Sequence, residues 1–284
     1  MHIFSTIEEL TVHLKTYIWP DKKLGFVPTM GAIHKGHICL IERAKATSDV
    51  TLASIFVNPA QFNNRDDFDN YPVQILEDIE LLKGADCDIL FAPSKEEMYP
   101  SEKPLTFDFG HLDKVMEGAF RPGHFSGVGL IVSKLFNIVR PDIAYFGQKD
   151  LQQVAVIRKL VEDLNFPISV VTVPTVRESN GLAMSSRNQR LTTQGRESAG
   201  TIHEFLQILK EKIISNSPVR MAISEVTSMF AAQIGLDLEY LELVDSHTLT
   251  PIDSIYECAE VSLCVAAHVE GVRLIDNIYV KKQE

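Results

Sequence analysis

The chain has 284 residues, of which 45% are hydrophobic and 23% charged, with a formal net charge of −11. That length supports one large domain or two modest ones with a sizeable core, and the apolar fraction excludes a disordered chain. The acidic balance argues against a non-specific grip on a nucleic-acid backbone, which needs basic surface, but basic residues can still line one pocket for a small anion.

The opening segment, MHIFSTIEELTVHLKTYIWP, is mixed and amphipathic and lacks the apolar core of an export signal. No stretch reaches the roughly eighteen apolar residues of a membrane span. Cys39, Cys87, Cys258 and Cys264 form no CxxC pair, which points away from zinc and thioredoxin-like sites. Scattered cysteines fit a reducing compartment. A cytoplasmic protein with no membrane or nucleic-acid partner is expected.

Leu24–Thr29 is a short apolar run closed by Pro and Gly, a buried strand. Gly36–Asp49 has helical spacing, with Ile38, Ile41 and Ala44 on one face. Val50–Val57 is a second β-rich run, stopped by Asn58-Pro59. A helix over Tyr71–Gly84 and a strand over Asp88–Phe91 follow. Pro93–Gly123, with prolines 93, 100, 104 and 122, is expected to wrap the edge. Gly127–Val139 reads as a buried helix, Ile143–Phe146 as a strand, Leu151–Leu164 as a helix and Ile168–Val173 as a strand. Strands alternating with helices imply an α/β fold with a doubly wound parallel sheet. After Val173 the texture changes: helices near Glu197–Ile214 and Val219–Ile234 precede strand-like runs at Leu238–Val244, Val261–Val269 and Val272–Ile275. This is α+β composition, so two domains are expected, residues 1–175 and residues 176–284.

Four segments carry residues suited to chemistry. Pro28–His37 (PTMGAIHKGH) closes the first predicted strand and opens the first predicted helix, where open α/β sheets bind ligands and a helix start favours phosphate. His34 and His37 can stabilise charge building on a bridging oxygen during attack at an α-phosphate. Gly36 lets the backbone approach closely. The bland alternative is a turn with two surface histidines; the position between strand and helix favours function. Phe146–Asp150 (FGQKD) also joins a strand to a helix: Lys149 can neutralise phosphate, Asp150 can cap the helix or bind ribose hydroxyls, and Gln153 lies one turn on. On its own this motif favours plain surface capping, because Lys-Asp before a helix is common. Met184–Arg187 (MSSR) offers two hydroxyls and a guanidinium as a phosphate clamp, or a solvated loop if taken alone. Together with the HxGH start, it suggests the nucleotidyl-transfer superfamily. Gln61, after the second strand, can offer an amide donor and acceptor, although an Asn-Pro turn alone accounts for its neighbourhood. The Asp66-Asp67-Asp69 run matches no calcium loop. Cys39 reads as a packing residue rather than a nucleophile.

VPTMGAIHKGH, SIFVNPAQF, FAPSKEEMYP, EGAFRPGHFSGVG, KLFNIVRPDIAYFGQKDLQQ, VPTVRESNGLAMSSRN and RLIDN, in this order, resemble the signature segments of the pantothenate synthetase (pantoate–β-alanine ligase) family, from about Val27 to Asn277. The resemblance implies a homodimer with a Rossmann-like N-terminal domain and a smaller C-terminal lid. It also implies joining of pantoate to β-alanine through a pantoyl adenylate, with ATP as substrate and Mg²⁺ assisting. Met30, Gly31, His34, Gly36 and His37 are then an ATP-binding start, with His37, His34 and Lys149 catalytic. Gly147, Gln148, Lys149, Asp150, Val176, Met184, Ser185, Ser186 and Arg187 are further ATP contacts. Gln61 and Gln153 hold pantoate, and Gln61 later meets β-alanine. Three departures stand out: Gln148 where Glu is frequent, Asn63-Asn64-Arg65 in place of a Gly-containing loop, and Phe120 where a small residue is frequent. Two other readings are a nucleotidyltransferase that keeps its adenylate as product and a nucleic-acid module related to tRNA synthetases, the latter opposed by the net charge.

Overall fold

In the computed structural model, residues 1–19, 21–100 and 105–280 are described; the part of the Pro93–Gly123 stretch at residues 101–104, including Pro104, and Pro20 of the opening segment lie outside them. The chain divides into two compact units, Met1–Gly147 with Gln152–Pro174, and Gln148–Leu151 with Thr175–Glu284.

The first unit is built on six parallel strands. In chain order they are β1 (His2–Phe4), β2 (Leu24–Thr29), β3 (Val50–Ile55), β4 (Ile89–Phe91), β5 (Ile143–Gly147) and β6 (Ser169–Val173), arranged β1-β4-β3-β2-β5-β6. From β2 the chain winds outward through β3 and β4, then returns to place β5 and β6 on the other side. The switch point therefore falls between β2 and β5, which pair at Gly25–Ile143 and Phe26–Ala144. This is the expected doubly wound, Rossmann-like sheet. Its helices are α1 (Ile7–Tyr17), α2 (Lys35–Lys45), α3 (Arg65–Asp69), α4 (Ile75–Gly84), α5 (Lys95–Met98), α6 (Met116–Phe120), α7 (His124–Val139) and α8 (Leu151–Asp163).

Alternation along each strand divides the core. Val27, Ala53 and Leu90 share one face with Leu40, Ile41 and Ala44 of α2 and Leu82 of α4. Phe26 faces the other way and meets Phe136 of α7 edge-on, with ring centroids 6.5 Å apart. Because the central strands β2 to β5 are covered on both faces, they read as unbroken apolar runs.

The boundaries shift in places. Helix α2 ends at Lys45 rather than Asp49: the Ala46 N–H returns to the Glu42 carbonyl, and Thr47 turns its hydroxyl to Tyr145 at 2.6 Å. Helix α4 starts at Ile75 rather than Tyr71, whose ring packs against Phe62. Strand β1 went unanticipated because a three-residue edge strand has too little pattern to read; it is held by its pairing with β4. Helix α1 forms within the amphipathic opening segment, capped by Thr6.

In the second unit, α9 (Thr193–Ile214) and α10 (Val219–Ala232) precede three antiparallel strands, β7 (Leu236–Asp245), β8 (Val261–Val269) and β9 (Val272–Val280). Phe205, Leu206, Val226 and Phe230 of the helices pack with Leu243, Leu263, Val265, Leu274 and Ile278 of the sheet. Strands β8 and β9 turn at Glu270-Gly271, both with positive φ (52° and 75°), as a two-residue hairpin requires. Strand β9 is longer than expected and carries the whole RLIDN segment. None of the four cysteines forms a disulfide, and no described helix is long and apolar enough to cross a membrane.

Candidate active site

The loop Met30–His34 leaves the carboxyl end of β2 and is bent sharply: Gly31 and Ala32 both have positive φ, 84° and 49°. A side chain at Gly31 would stand 2.9 Å from Asp78 Oδ2, so glycine is required twice over, by conformation and by space. Asp78, on α4 and only 1% exposed, receives the Ala32 N–H at 2.9 Å and the Ile33 N–H at 2.7 Å. A buried carboxylate thus holds the bend that aims the following histidine. Its importance was invisible in the sequence, where Asp78 reads as one more polar position of an amphipathic helix.

His34 is the N-cap of α2, its Nδ1 accepting the Gly36 N–H at 3.1 Å. One N–H of the helix start, expected for phosphate, is therefore engaged by the imidazole. Because Nδ1 accepts, the neutral ring carries its proton on Nε2 and donates from there. His37, one turn on, stacks its ring on that of His34, with centroids 4.0 Å apart and planes at 23°. The HxGH spacing brings two imidazoles together at the start of one helix. Cys39, half-buried on the same helix, has its thiol pushed above the usual range by burial and by Glu42, so it is no thiolate nucleophile.

Gln61 ends a short 3-10 turn, Pro59–Gln61, after β3. Its Nε2 donates to Met30 Sδ at 3.2 Å and its Oε1 accepts from Asn58 Nδ2 at 2.9 Å. Met30 and Gln61 therefore meet at the ends of the paired strands β2 and β3. Asn58, 1% exposed, also donates to the Gly127 carbonyl at 3.1 Å and accepts from the Tyr99 hydroxyl at 2.6 Å. Burial pushes Tyr99 up to about 12, so it remains a donor at any physiological pH. His124 Nδ1 pairs with the Gln61 carbonyl oxygen at 2.7 Å, donating from that nitrogen. At Gly127 a Cβ would lie 2.2 Å from the Ala60 carbonyl oxygen; α7 packs against this turn too closely for any side chain. The Asn58-Pro59 pair marked only a strand end in the sequence, and Asn58, Tyr99, His124 and Gly127 were missed.

Of two adjacent glutamines, Gln153 was singled out and is half-buried. Gln152, 4% exposed, holds backbone: its Nε2 donates to the Leu112 and Val115 carbonyls and its Oε1 accepts the Glu117 N–H.

The other polar segments belong to the second unit. Gln148–Asp150 forms a 3-10 turn following Gly147, the last residue of β5. Lys149 Nζ lies 3.7 Å from Asp150 Oδ1. Asn277 of β9 donates from Nδ2 to the carbonyls of Gln148 and Lys149, each at 2.9 Å, and accepts from Gln148 Nε2 at 3.2 Å. Val176–Met184 doubles back on itself: the Met184 N–H reaches the Val176 carbonyl at 2.9 Å and Arg177 bridges to Ala183. Arg177 forks onto Asp276 at 2.6 and 2.9 Å and onto the Gly181 carbonyl at 3.0 Å. Ser185 caps the next 3-10 turn, Ser186–Arg190, by accepting the Arg187 N–H at 3.3 Å. Asn188, 3% exposed, donates to Glu178 Oε1 and the Ala183 carbonyl.

The three departures from the family pattern are accommodated locally. Gln148 uses its amide on Asn277. Asn64 caps α3 by accepting the Asp66 N–H at 2.8 Å. Phe120 ends α6 and is 46% exposed. Among the described residues no group of three or more His, Cys, Asp or Glu side chains could hold a metal ion.

The sequence model of the pantoate–β-alanine ligase family matches residues 2–279. A pantothenate synthetase of Cytophaga hutchinsonii is 48% identical over 280 residues, covering 97% of this chain and 98% of that one. One of Bacteroides fragilis is 44% identical over 282 residues, covering 99% and 100%. The crystal structure of pantothenate synthetase from Thermus thermophilus superposes with a TM-score of 0.91 at 41% identity over 99% of both chains. That of pantoate–β-alanine ligase from Francisella tularensis, complexed with "Beta-gamma ATP" and β-alanine, gives 0.83 at 37% identity over 100% of this chain and 99% of that one. Agreement at this identity along the full length, in sequence and in fold alike, makes the chain a member of the pantoate–β-alanine ligase family.

Proposed function

We propose that the protein condenses pantoate with β-alanine, using ATP and releasing AMP and pyrophosphate, as a step of pantothenate biosynthesis. A pantoate carboxylate oxygen attacks the α-phosphorus, and the bond to pyrophosphate breaks. The β-alanine amine then attacks the acyl carbon of the adenylate, loses a proton, and AMP departs. Both nucleophiles belong to substrates, so the protein's task is to hold anions together and stabilise the charge that develops.

The observation that carries this reading is the stacked His34–His37 pair at the start of α2, on the same rim as the Met30–Gln61 contact. His37 and His34 stabilise the α-phosphate during attack, and Lys149 offsets phosphate charge. Ser185, Ser186 and Arg187 clamp the nucleotide, with Met30, Gly31, Gly36, Gly147, Gln148, Asp150, Val176 and Met184 as further contacts. Gln61 and Gln153 hold pantoate, and Gln61 then meets β-alanine. Residues 1–175 act as the ATP- and pantoate-binding domain and residues 176–284 as the lid. In sites of this kind Mg²⁺ keeps several waters and binds through substrate phosphates with one or two carboxylates; bound with the triphosphate, it would offset negative charge. A homodimer in the cytoplasm completes the proposal.

The test is ATP–pyrophosphate exchange with and without pantoate, followed by β-alanine. Exchange should require pantoate, and AMP release should require the amine. Exchange without pantoate would overturn the reading, and an adenylate that persists unchanged after β-alanine is added would favour a nucleotidyltransferase.

A further inference from the structure

Asp276 and Asn277 are neighbours on β9, 5% and 2% exposed, and as consecutive strand residues they point to opposite faces of the sheet. Asp276 lies on the core-facing side with Leu274 and Ile278, an unusual place for a carboxylate, and is matched there by the Arg177 fork. Arg177 in turn binds the Gly181 carbonyl, so the hairpin leading to Ser185–Arg187 hangs from Asp276. Asn277 faces the other way and gives both amide protons to consecutive carbonyls, those of Gln148 and Lys149. Only an amide side chain offers two donors and an acceptor in that geometry.

We infer that Asp276 and Asn277 are positioning residues for ATP: one strand dipeptide sets the backbone of both cationic segments, Lys149 through Asn277 and Ser185–Arg187 through Asp276. The inference rests on the assignment of Lys149 and Arg187 to the nucleotide. An Asn277→Asp change puts a carboxylate against two carbonyl oxygens, displacing the Lys149 backbone without touching any substrate.

A double-mutant cycle of Lys149→Ala and Asn277→Asp, read as KM for ATP in pantoate-dependent exchange, tests this. Asn277→Asp should raise KM for ATP roughly tenfold or more, while KM for pantoate moves less than about twofold. In the Lys149→Ala background the same change should move KM for ATP by less than about twofold, because the group it positions is gone. Asp276→Asn should couple in the same way to Arg187→Ala. Equal losses for both substrates, or effects that multiply in full, would reduce the pair to a merely structural role and overturn the inference. An unchanged KM for ATP in Lys149→Ala alone would instead overturn the nucleotide assignment beneath it. Should Asn277→Asp not fold, as judged by circular dichroism, Asn277→Ser goes through the same cycle with the same outcomes.

Discussion

The two sets of candidate site residues are positioned by different means. In the first unit, His34, His37 and Gln61 sit at the ends of parallel strands, and buried side chains reach up to hold their loops: Asp78 takes two backbone N–H groups, and Asn58 ties Gln61 to α7 and to Tyr99. In the second unit the anchoring is concentrated in one strand, where Asp276 and Asn277 grip a guanidinium and two carbonyls. The first arrangement distributes its anchors over α4, α7 and the turn after β3, so one lost anchor leaves others in place. The second has its anchors side by side, so a local change in β9 should reach both segments together. The anchoring of candidate site residues can thus be spread through a core or focused on a dipeptide.

The sharpest test of the first region is His37→Ala, which should leave the fold intact and lower the rate of adenylate formation by roughly a hundredfold or more; near-normal pyrophosphate exchange would remove His37 from the chemistry. Next is Asp78→Ala. Two buried N–H groups lose a charged acceptor, which should cost about 3 kcal/mol or more in urea unfolding, and exchange should fall although Asp78 touches no substrate. Stability lost without any loss of exchange would mean the Gly31–Ile33 bend does not matter to the histidines. Gly127→Ala is milder. Its Cβ forces the Ala60–Gln61 turn away from α7 at about 1–3 kcal/mol, and KM for pantoate should rise more than KM for ATP. An equal rise for both would break the link between this turn and pantoate.

The smallest effect concerns the second region and pH. His203 of α9 lies with its Nδ1 3.9 Å from Asp276 Oδ2. Burial, then the Arg177 guanidinium, hold its pKa below the ordinary 6.5, only partly offset by Asp276. The unfolded chain takes up a proton at His203 as pH falls through about 6.5, while the folded protein resists it. Stability contributed by neutral His203 is therefore complete above 6.5 and declines as pH drops toward the folded value. His203→Gln should flatten the fall in melting temperature between about pH 7 and pH 5; an unchanged slope would show that His203 does not report on the Arg177–Asp276 pair.

Much of this molecule was legible in its residues. Apolar runs such as Leu24–Thr29 and Val50–Ile55 announce buried parallel strands, and the alternation of strand and helix up to Val173 implies the winding. The HxGH spacing places two imidazoles on one helical turn before any coordinates exist, because i and i+3 share a face. The supporting groups were not legible. Asp78, Asn58, Gln152 and Asp276 have no local signature; each is one polar residue among many until its partners are known.

The sequence by itself determined local matters: the strands and helices with a strong apolar rhythm, and which residues carry imidazole, ammonium, guanidinium and amide groups, since these depend on neighbours a few positions away. Only the tertiary structure decided which groups hold those residues still. Asp78 meets Ala32 across 46 residues and Asn277 meets Gln148 across 129, and such meetings follow from strand order and register, which no single stretch of chain encodes.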